Sequence, residues 1–303
     1  MLKCSKTLKQ LWRKRKKQVK LIDGNQIAKK IREDLKLEIH KISGRKPGLA
    51  FILIGKDPAS LSYVKMKKKG CLETGIHSET LELPADVTEA SLLKEIQRLN
   101  DAETIDGILV QQPFPKHLST STIVEAIDPA KDVDGFHPMN IGKLLLGEPG
   151  GFAACTPLGI AKLLEKCGAE VEGKHVVIVG RSNIVGKPLA AILVQKARHC
   201  NATVTIAHSH THKLPEICKS ADILVAAIGK PLFIKAEMVK KGAVVIDVGI
   251  NRTAQGLVGD VDFEEVKHVA SMITPVPGGV GPMTIAMLLS NTYLSFQRKH
   301  GAL

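Results

Sequence analysis

His175-Val-Val-Ile-Val179, then Gly180-Arg-Ser-Asn-Ile-Val-Gly186, then a stretch of helical character from Lys187 or Pro188 onward, place an apolar run, a glycine turn and a helix in succession. An apolar run of this length, bounded by turn signals, reads as a strand covered on both faces. Glycine has no side chain, so such a turn lets backbone N–H groups at a helix N-terminus come close to an anionic group. Dinucleotide-binding folds use this order. Gly180 and Gly186 meet the requirement, but Ser182 stands where the second glycine of Gly-x-Gly-x-x-Gly is expected, and a purely structural turn is the alternative.

Downstream, strands are expected at 202–207, 223–227 and 244–248, each separated by helical stretches, and a helix at 157–167 precedes the glycine turn. That alternation describes a doubly wound sheet. Upstream, Ile27, Ile31, Leu35 and Ile39 recur every fourth residue and predict an amphipathic helix over 24–41. The run Gly48-Leu-Ala-Phe-Ile-Leu-Ile-Gly55 predicts a buried strand, and Asp57-Pro58 opens a helix running to about Gly75. Strands near 77–82 and 105–110 flank a helix near 88–100.

The fold class is therefore α/β with two domains and a cleft between them. The expected divisions are a basic, disordered extension over 1–20, a substrate-binding and catalytic domain over 21–150, a Rossmann-like dinucleotide domain over 151–281, and a helix over 282–303 that packs back on the first domain. The turn-rich Gly147-Glu-Pro-Gly-Gly151 marks the boundary.

Composition narrows the function classes. Aromatic residues make up only 3% of the 303, with one Trp and two Tyr, too few for stacking platforms that hold single-stranded nucleic acid. Residues 1–20 hold nine Lys or Arg and no acid, so the net charge of +13 less these nine leaves +4 for the body. A mildly basic body suits an anionic small molecule better than a nucleic-acid groove. Six scattered cysteines without Cys-x-x-Cys spacing fit a reducing compartment. No run approaches 18 apolar residues, and the N-terminus lacks the apolar core of a secretory signal. A cytoplasmic protein with no membrane partner is expected. Residues 1–20 read as a solvated extension or a start assigned too early, with an organelle presequence and a matrix location as the alternative.

The second strand of the dinucleotide half ends in Ala207-His208-Ser209-His210, with no carboxylate for a ribose 2′-hydroxyl. Arg181 and Ser209 instead offer a charge and a hydroxyl to a 2′-phosphate, so NADP is favoured over NAD. His208, His210 and His212 alternate as strand-borne metal ligands would, yet nothing nearby completes a site, and no metal is expected.

Four further places carry chemistry. Tyr63 and Lys67, four apart on a helix, share a face, although Lys65, Lys68 and Lys69 also allow a plain solvated face. Gln111 ends a strand at the edge where open α/β sheets bind ligands. Lys131-Asp-Val-Asp-Gly135 holds two carboxylates around one valine, able to bind a metal or divide into separate roles, with a solvated turn open for Asp132. Thr274-Pro-Val-Pro-Gly-Gly-Val-Gly-Pro-Met-Thr284 is too rich in Pro and Gly for an element interior and reads as a rigid ligand wall.

From about Leu21 to the end, these stretches resemble the bifunctional methylenetetrahydrofolate dehydrogenase/cyclohydrolase family of the bacterial FolD type. Tyr63-Val-Lys-Met-Lys67, Asp106-Gly-Ile-Leu-Val-Gln111, Lys131-Asp-Val-Asp-Gly135, Gly180-Arg-Ser-Asn-Ile-Val-Gly186 and Pro275-Val-Pro-Gly-Gly-Val-Gly-Pro282 occur in the family's order. The resemblance implies NADP-dependent oxidation of 5,10-methylenetetrahydrofolate, hydrolysis of the methenyl product to 10-formyltetrahydrofolate, and a homodimer. It implies a folate site of Tyr63, Lys67, Gln111, Asp134, Pro277, Gly278 and Gly279, with Lys67, Gln111, Tyr63 and Asp134 catalytic. It further implies NADP contacts from Gly180, Arg181, Ser182, Ile184, Ser209 and Ile250. The rivals are an NAD-dependent dehydrogenase without the hydrolytic half and a non-enzymatic binder of nucleic acid or an anionic surface that works through the basic extension.

Overall fold

The computed structural model describes residues 19–254 and 256–301. The expectations for residues 1–18 lie outside them. In chain order the first half holds β1 (Lys20–Leu21), α1 (Gly24–His40), β2 (Gly48–Ile54), α2 (Pro58–Thr74), β3 (His77–Leu83), α3 (Glu89–Asp101), β4 (Gly107–Val110), α4 (Thr120–Glu125) and α5 (Pro138–Leu146). The second half holds α6 (Cys155–Cys167), β5 (His175–Val179), α7 (Gly186–Leu193), β6 (Thr203–Ala207), α8 (Leu214–Lys219), β7 (Ile223–Ala226), β8 (Val244–Asp247), β9 (Asn251–Thr253), β10 (Gly256–Val258), α9 (Phe263–Val266), β11 (Met272–Ile273) and α10 (Val280–Lys299).

Local chemistry sets the ends of the helix that matters most. Asp57 caps α2 by accepting a hydrogen bond from the Ser60 N–H, and Pro58 sits in the first turn, where its missing N–H costs nothing. Gly75, at φ 83, ends α2 in the left-handed region that an L side chain resists. Tyr63 and Lys67 therefore ride on a helix fixed at both ends.

The first half builds a parallel sheet of order β3-β2-β4, with Phe51 opposite both Thr80 and Leu109. All seven residues of β2 are buried, as its unbroken apolar run requires. The second half builds a parallel sheet of order β1-β11-β8-β7-β5-β6. The chain leaves β5 for β6 on one side and then crosses to β7 on the other. The carboxyl ends of β5 and β7 thus form a topological switch point, the place where doubly wound sheets leave a crevice for ligand. Helix α10 packs against α6, α1 and α2, tying the halves together.

Four sequence expectations need correction. Lys20 was assigned to the disordered extension and Leu21 to the first domain, but both pair with Met272 and Ile273 at the edge of the second sheet. The edge of β11 supplies main-chain partners there: Lys20 N–H donates to Ser271 O at 3.0 Å and Ile22 N–H to Ile273 O at 2.9 Å. The last helix begins at Val280, not Pro282, and α4 and α5 fall in stretches where no element was expected. Asp132 is not a solvated turn residue: it is buried, and its carboxylate accepts from the Gly135, Phe136 and His137 N–H groups and from Asn140 Nδ2.

The loop carrying Asp132 and Asp134 is anchored from both sides. Lys131 Nζ donates to the carbonyls of Leu99, Asn100 and Ala102, closing the C-terminus of α3. Asn291, buried in α10, donates to Val133 O at 2.8 Å and Ala153 O at 3.1 Å. A carboxylate on so pinned a loop keeps one orientation.

Candidate active site

Lys67 projects from α2 toward the carboxyl end of β4, where its ammonium donates to Gln111 Oε1 at 3.0 Å. Gln111 is itself fixed: its N–H donates to Ile52 O at 2.9 Å and its Nε2 to Gln112 O at 2.6 Å. Lys65, Lys68 and Lys69 on the same helix are exposed, whereas Lys67 is half-buried, so the helix does not present a uniform solvated lysine face. Burial pushes the Lys67 ammonium below its ordinary value, and the Asp134 charge partly opposes that.

Asp134 shows the mirror image. Burial raises its carboxyl above the ordinary range, while the Lys67 charge and the Cys155 thiol pull it back. The amine and the carboxyl are thus close enough to titrate against each other, and Gln111 completes a cluster drawn from α2, β4 and the loop before α5. Tyr63, 37% exposed, lies one turn before Lys67 at the rim.

Cys155 was not anticipated. Its buried thiol lies against the Asp134 carboxyl and 3.3 Å from Val133 O, and its N–H donates to Asp134 O at 3.3 Å. Asn291 was missed too, although an amide two residues past the apolar run Ile285-Ala-Met-Leu-Leu289 signals a buried polar partner.

The Pro- and Gly-rich loop forms the next wall. Gly278 O accepts from Asn25 N–H at 3.1 Å, and a Cβ on Gly24 would fall 1.7 Å from Gly279 O, so the loop is pressed onto the start of α1. Thr284 near the start of α10 shares a hydrogen bond of 2.9 Å with Thr156 in α6, one residue from Cys155. Asp134 and Pro277-Gly278-Gly279 therefore both lie at the N-terminal ends of two packed helices.

The glycine turn lies at the switch point. Gly180, at φ 134, donates to Ala207 O at 2.8 Å, and a Cβ there would fall 2.2 Å from Ala227 O. A Cβ on Gly186 would fall 2.0 Å from Gly180 O, so both glycines are required for the turn to close under α7. Ser182 Oγ accepts from Val185 N–H at 3.1 Å, holding the turn where the motif lacks its second glycine. Arg181, Ser182 and Ile184 are exposed along the turn, and Ser209 is exposed just past β6. Partial burial, then the Arg181 charge, then His210 hold the His208 ring below its ordinary value, so the Arg181 charge is felt at the end of β6. Ile250 follows β8, 46% exposed, and its Cδ1 lies 3.8 Å from where a Cβ on Gly281 would stand. The residues expected to hold cofactor thus run from β6 across the switch point to the edge of the proline-glycine wall.

Among the described residues no group of three His, Cys, Asp or Glu is arranged to hold a metal ion, and no helix is long and apolar enough to cross a membrane.

A doubly wound sheet with a glycine cradle, set beside a lysine–amide–carboxylate cluster on a second parallel sheet, defines a two-domain dinucleotide-dependent enzyme. The family model for the tetrahydrofolate dehydrogenase/cyclohydrolase catalytic domain matches residues 22–134, and the model for that family's NAD(P)-binding domain matches residues 154–300. The chain belongs to the tetrahydrofolate dehydrogenase/cyclohydrolase family. It is 55% identical to the bifunctional protein FolD of Maridesulfovibrio salexigens over 287 residues, covering 94% of this chain and 100% of that relative. The FolD methylenetetrahydrofolate dehydrogenase/cyclohydrolase of Campylobacter jejuni superposes with a TM-score of 0.90 at 48% identity, covering 93% of this chain and 99% of the other. The Trypanosoma brucei FolD complexed with NADP cofactor and inhibitor gives a TM-score of 0.87 at 39% identity over 93% of this chain and 98% of its own.

Proposed function

We propose that the two activities of this bifunctional family enzyme, NADP-dependent oxidation of 5,10-methylenetetrahydrofolate and hydrolysis of the methenyl product, share the one cleft built around Lys67. The observation that carries the reading is the Lys67–Gln111 hydrogen bond with Asp134 beside it. Asp134 binds the pterin edge, because a carboxylate accepts two adjacent N–H donors. Tyr63 covers the ring at the rim, and Pro277-Gly278-Gly279 line the opposite wall.

Bound NADP supplies the acceptor for the hydride that leaves the methylene carbon. Gly180, Ser182, Ile184 and Ile250 would orient it, while Arg181 and Ser209 would hold its 2′-phosphate; the turn fits such a group because its two glycines, where a Cβ would strike Ala227 O and Gly180 O, let the backbone close at the N-terminus of α7. In the hydrolytic step a water oxygen bonds to the methenyl carbon and loses a proton to the neutral Lys67 amine. The carbon–N5 bond then breaks as the new hydroxyl gives up its remaining proton and N5 gains one, which leaves the formyl group on N10 and one proton released for each water consumed. Gln111 keeps the amine aimed at that water.

The test is to incubate purified protein with methylenetetrahydrofolate and NADP and follow both reduced cofactor and decay of the methenyl absorbance. Growth of the first signal without decay of the second would leave a dehydrogenase alone. Arg181→Ala is expected to raise KM for NADP about tenfold, the worth of one exposed charge-assisted hydrogen bond, while barely affecting NAD. Equal losses with both cofactors would remove Arg181 from the phosphate site.

A homodimer belongs to the same proposal. β6 is the outer strand of its sheet with Ile206 37% exposed, and exposed Leu145, Leu146 and Val194 lie near its start, where Gln195 binds Leu144 O and Ala202 binds Leu193 O. Light scattering should return twice the 32.7 kDa chain mass; a monomer at micromolar concentration would refute it. A cytoplasmic location is part of the reading, tested by imaging fusions with and without residues 1–18, and organelle import dependent on those residues would replace it.

A further inference from the structure

Two buried carboxyls in the second half take no part in the chemistry above. Asp247 is 3% exposed and Asp260 fully buried, and neither forms an ion pair with Lys or Arg among the described residues. Backbone and amide donors converge on them instead. Asp247 accepts from Gly249 N–H at 3.1 Å, Asp260 N–H at 2.9 Å and Val261 N–H at 3.0 Å. Asp260 accepts from Ile228 N–H at 2.7 Å, Gly229 N–H at 2.9 Å and Asn251 Nδ2 at 2.9 Å. The pair leaves no room for side chains around it: a Cβ on Gly259 would fall 1.7 Å from Asp247 Oδ2, and one on Gly249 would fall 2.2 Å from Asp260 Oδ1.

The position matters more than the packing. Ile228 and Gly229 follow β7 at the switch point, and the Gly180 turn presses on Ala227 immediately before them. Gly249, Ile250 and Asn251 follow β8, and Ile250 borders the proline-glycine wall through Gly281. One buried carboxylate therefore joins the two strand-end loops that flank the crevice on the side facing the folate wall. Backbone N–H groups that would otherwise seek water are held in one arrangement.

We propose that Asp260, braced by Asp247, is a positioning residue for the cofactor: its carboxylate ties the Ile228–Gly229 backbone to the Asn251 side-chain amide, while Asp247 holds the Gly249 N–H, and together they set the spacing of the two strand-end loops that receive the nicotinamide half of the dinucleotide. The proposal rests on the NADP reading above and assigns that reading a residue outside the glycine turn. It separates dinucleotide placement from hydrolysis, since the Lys67 cluster stands on the other sheet and the hydrolytic step consumes water but no dinucleotide.

Asp260→Asn keeps the shape but removes the charge and one of the two acceptor oxygens, so the tie between the two loops is weakened. Titration calorimetry of NADP against the full chain should show Kd raised about tenfold, matching the loss of one charge-assisted hydrogen bond. Cyclohydrolase turnover of supplied methenyltetrahydrofolate should stay within about twofold, and Asn251→Ala should weaken NADP binding in the same direction by a smaller factor. A folded Asp260→Asn protein with unchanged NADP Kd would overturn the proposal, as would equal losses of binding and hydrolysis. Should Asp260→Asn fail to fold, Asn251→Ala decides, and an unchanged Kd there overturns the proposal. Wild-type protein that binds no NADP would instead refute the underlying cofactor assignment.

Discussion

Lys67→Met loses cyclohydrolase activity by about 10²- to 10⁴-fold, the range expected when a positioned proton-transfer group is removed. The replacement keeps the length and apolar stem of the side chain and deletes only the amine that donates to Gln111 Oε1 at 3.0 Å. Hydride transfer depends on holding carbon against cofactor, so the dehydrogenase should fall less than the hydrolase. Lys67→Arg should not rescue hydrolysis, because a guanidinium stays protonated and cannot accept the proton from water. Burial lowers the Lys67 value, so the neutral amine becomes more abundant as pH rises. The wild-type hydrolytic rate should therefore climb with pH through that depressed value and level off above it, and the methionine variant should lose this limb. The checks are steady-state cyclohydrolase rates across pH for wild type and both variants, with circular dichroism as proof of folding. A folded Lys67→Met enzyme that hydrolyses methenyltetrahydrofolate at the wild-type rate would remove the lysine from the mechanism.

The parts of the fold legible in the sequence are those whose signal is local. The runs at Gly48–Ile54 and Val176–Val179 are buried on both faces, so every residue in them had to be apolar, and the boundaries of the two strands, the second opened by the half-buried His175, were readable to within a residue. The strand at Lys20–Leu21 was not readable, because two residues carry no period and their partner lies at Met272–Ile273, some 250 positions away. Helix α5 did announce itself, with Pro138 in its first turn and Gly147 in the left-handed conformation after its end, but exposed Leu145 and Leu146 blur its apolar stripe.

The site divides the same way. Helical spacing puts Tyr63 and Lys67 on one face, and a strand's end makes Gln111 a candidate, but only the family resemblance implies a catalytic role for them. Asp132 and Asp134 could not be told apart by spacing, since both flank one valine, and the family resemblance alone singled out Asp134. Only the folded turn directs Asp132 inward to four donors and leaves Asp134 facing the lysine. The role of Cys155 depends on a contact between the Asp134 loop and the start of α6, which no local pattern reveals.

Asp134→Asn should raise KM for methylenetetrahydrofolate by about tenfold to a hundredfold, since each hydrogen bond to a charged group is worth about 1.5–3 kcal/mol and an amide offers one acceptor where a carboxylate offers two. Both activities should suffer, because both bind the same pterin, and this separates the variant from Lys67→Met. A second consequence follows from electrostatics. The Asp134 charge holds the Lys67 value up against the larger effect of burial, so removing it lets that value fall further. The acid limb of the cyclohydrolase profile should then shift to lower pH in the variant even as KM rises. A lost carboxylate that served only to pack the loop would weaken binding without moving the limb, because Asp132, Lys131 and Asn291 already secure the backbone there. Measuring KM and the hydrolytic pH profile on the same folded protein tests both halves at once. An unchanged KM would place the pterin elsewhere, and a raised KM with a stationary limb would mean that the carboxylate and the amine do not share a site in solution.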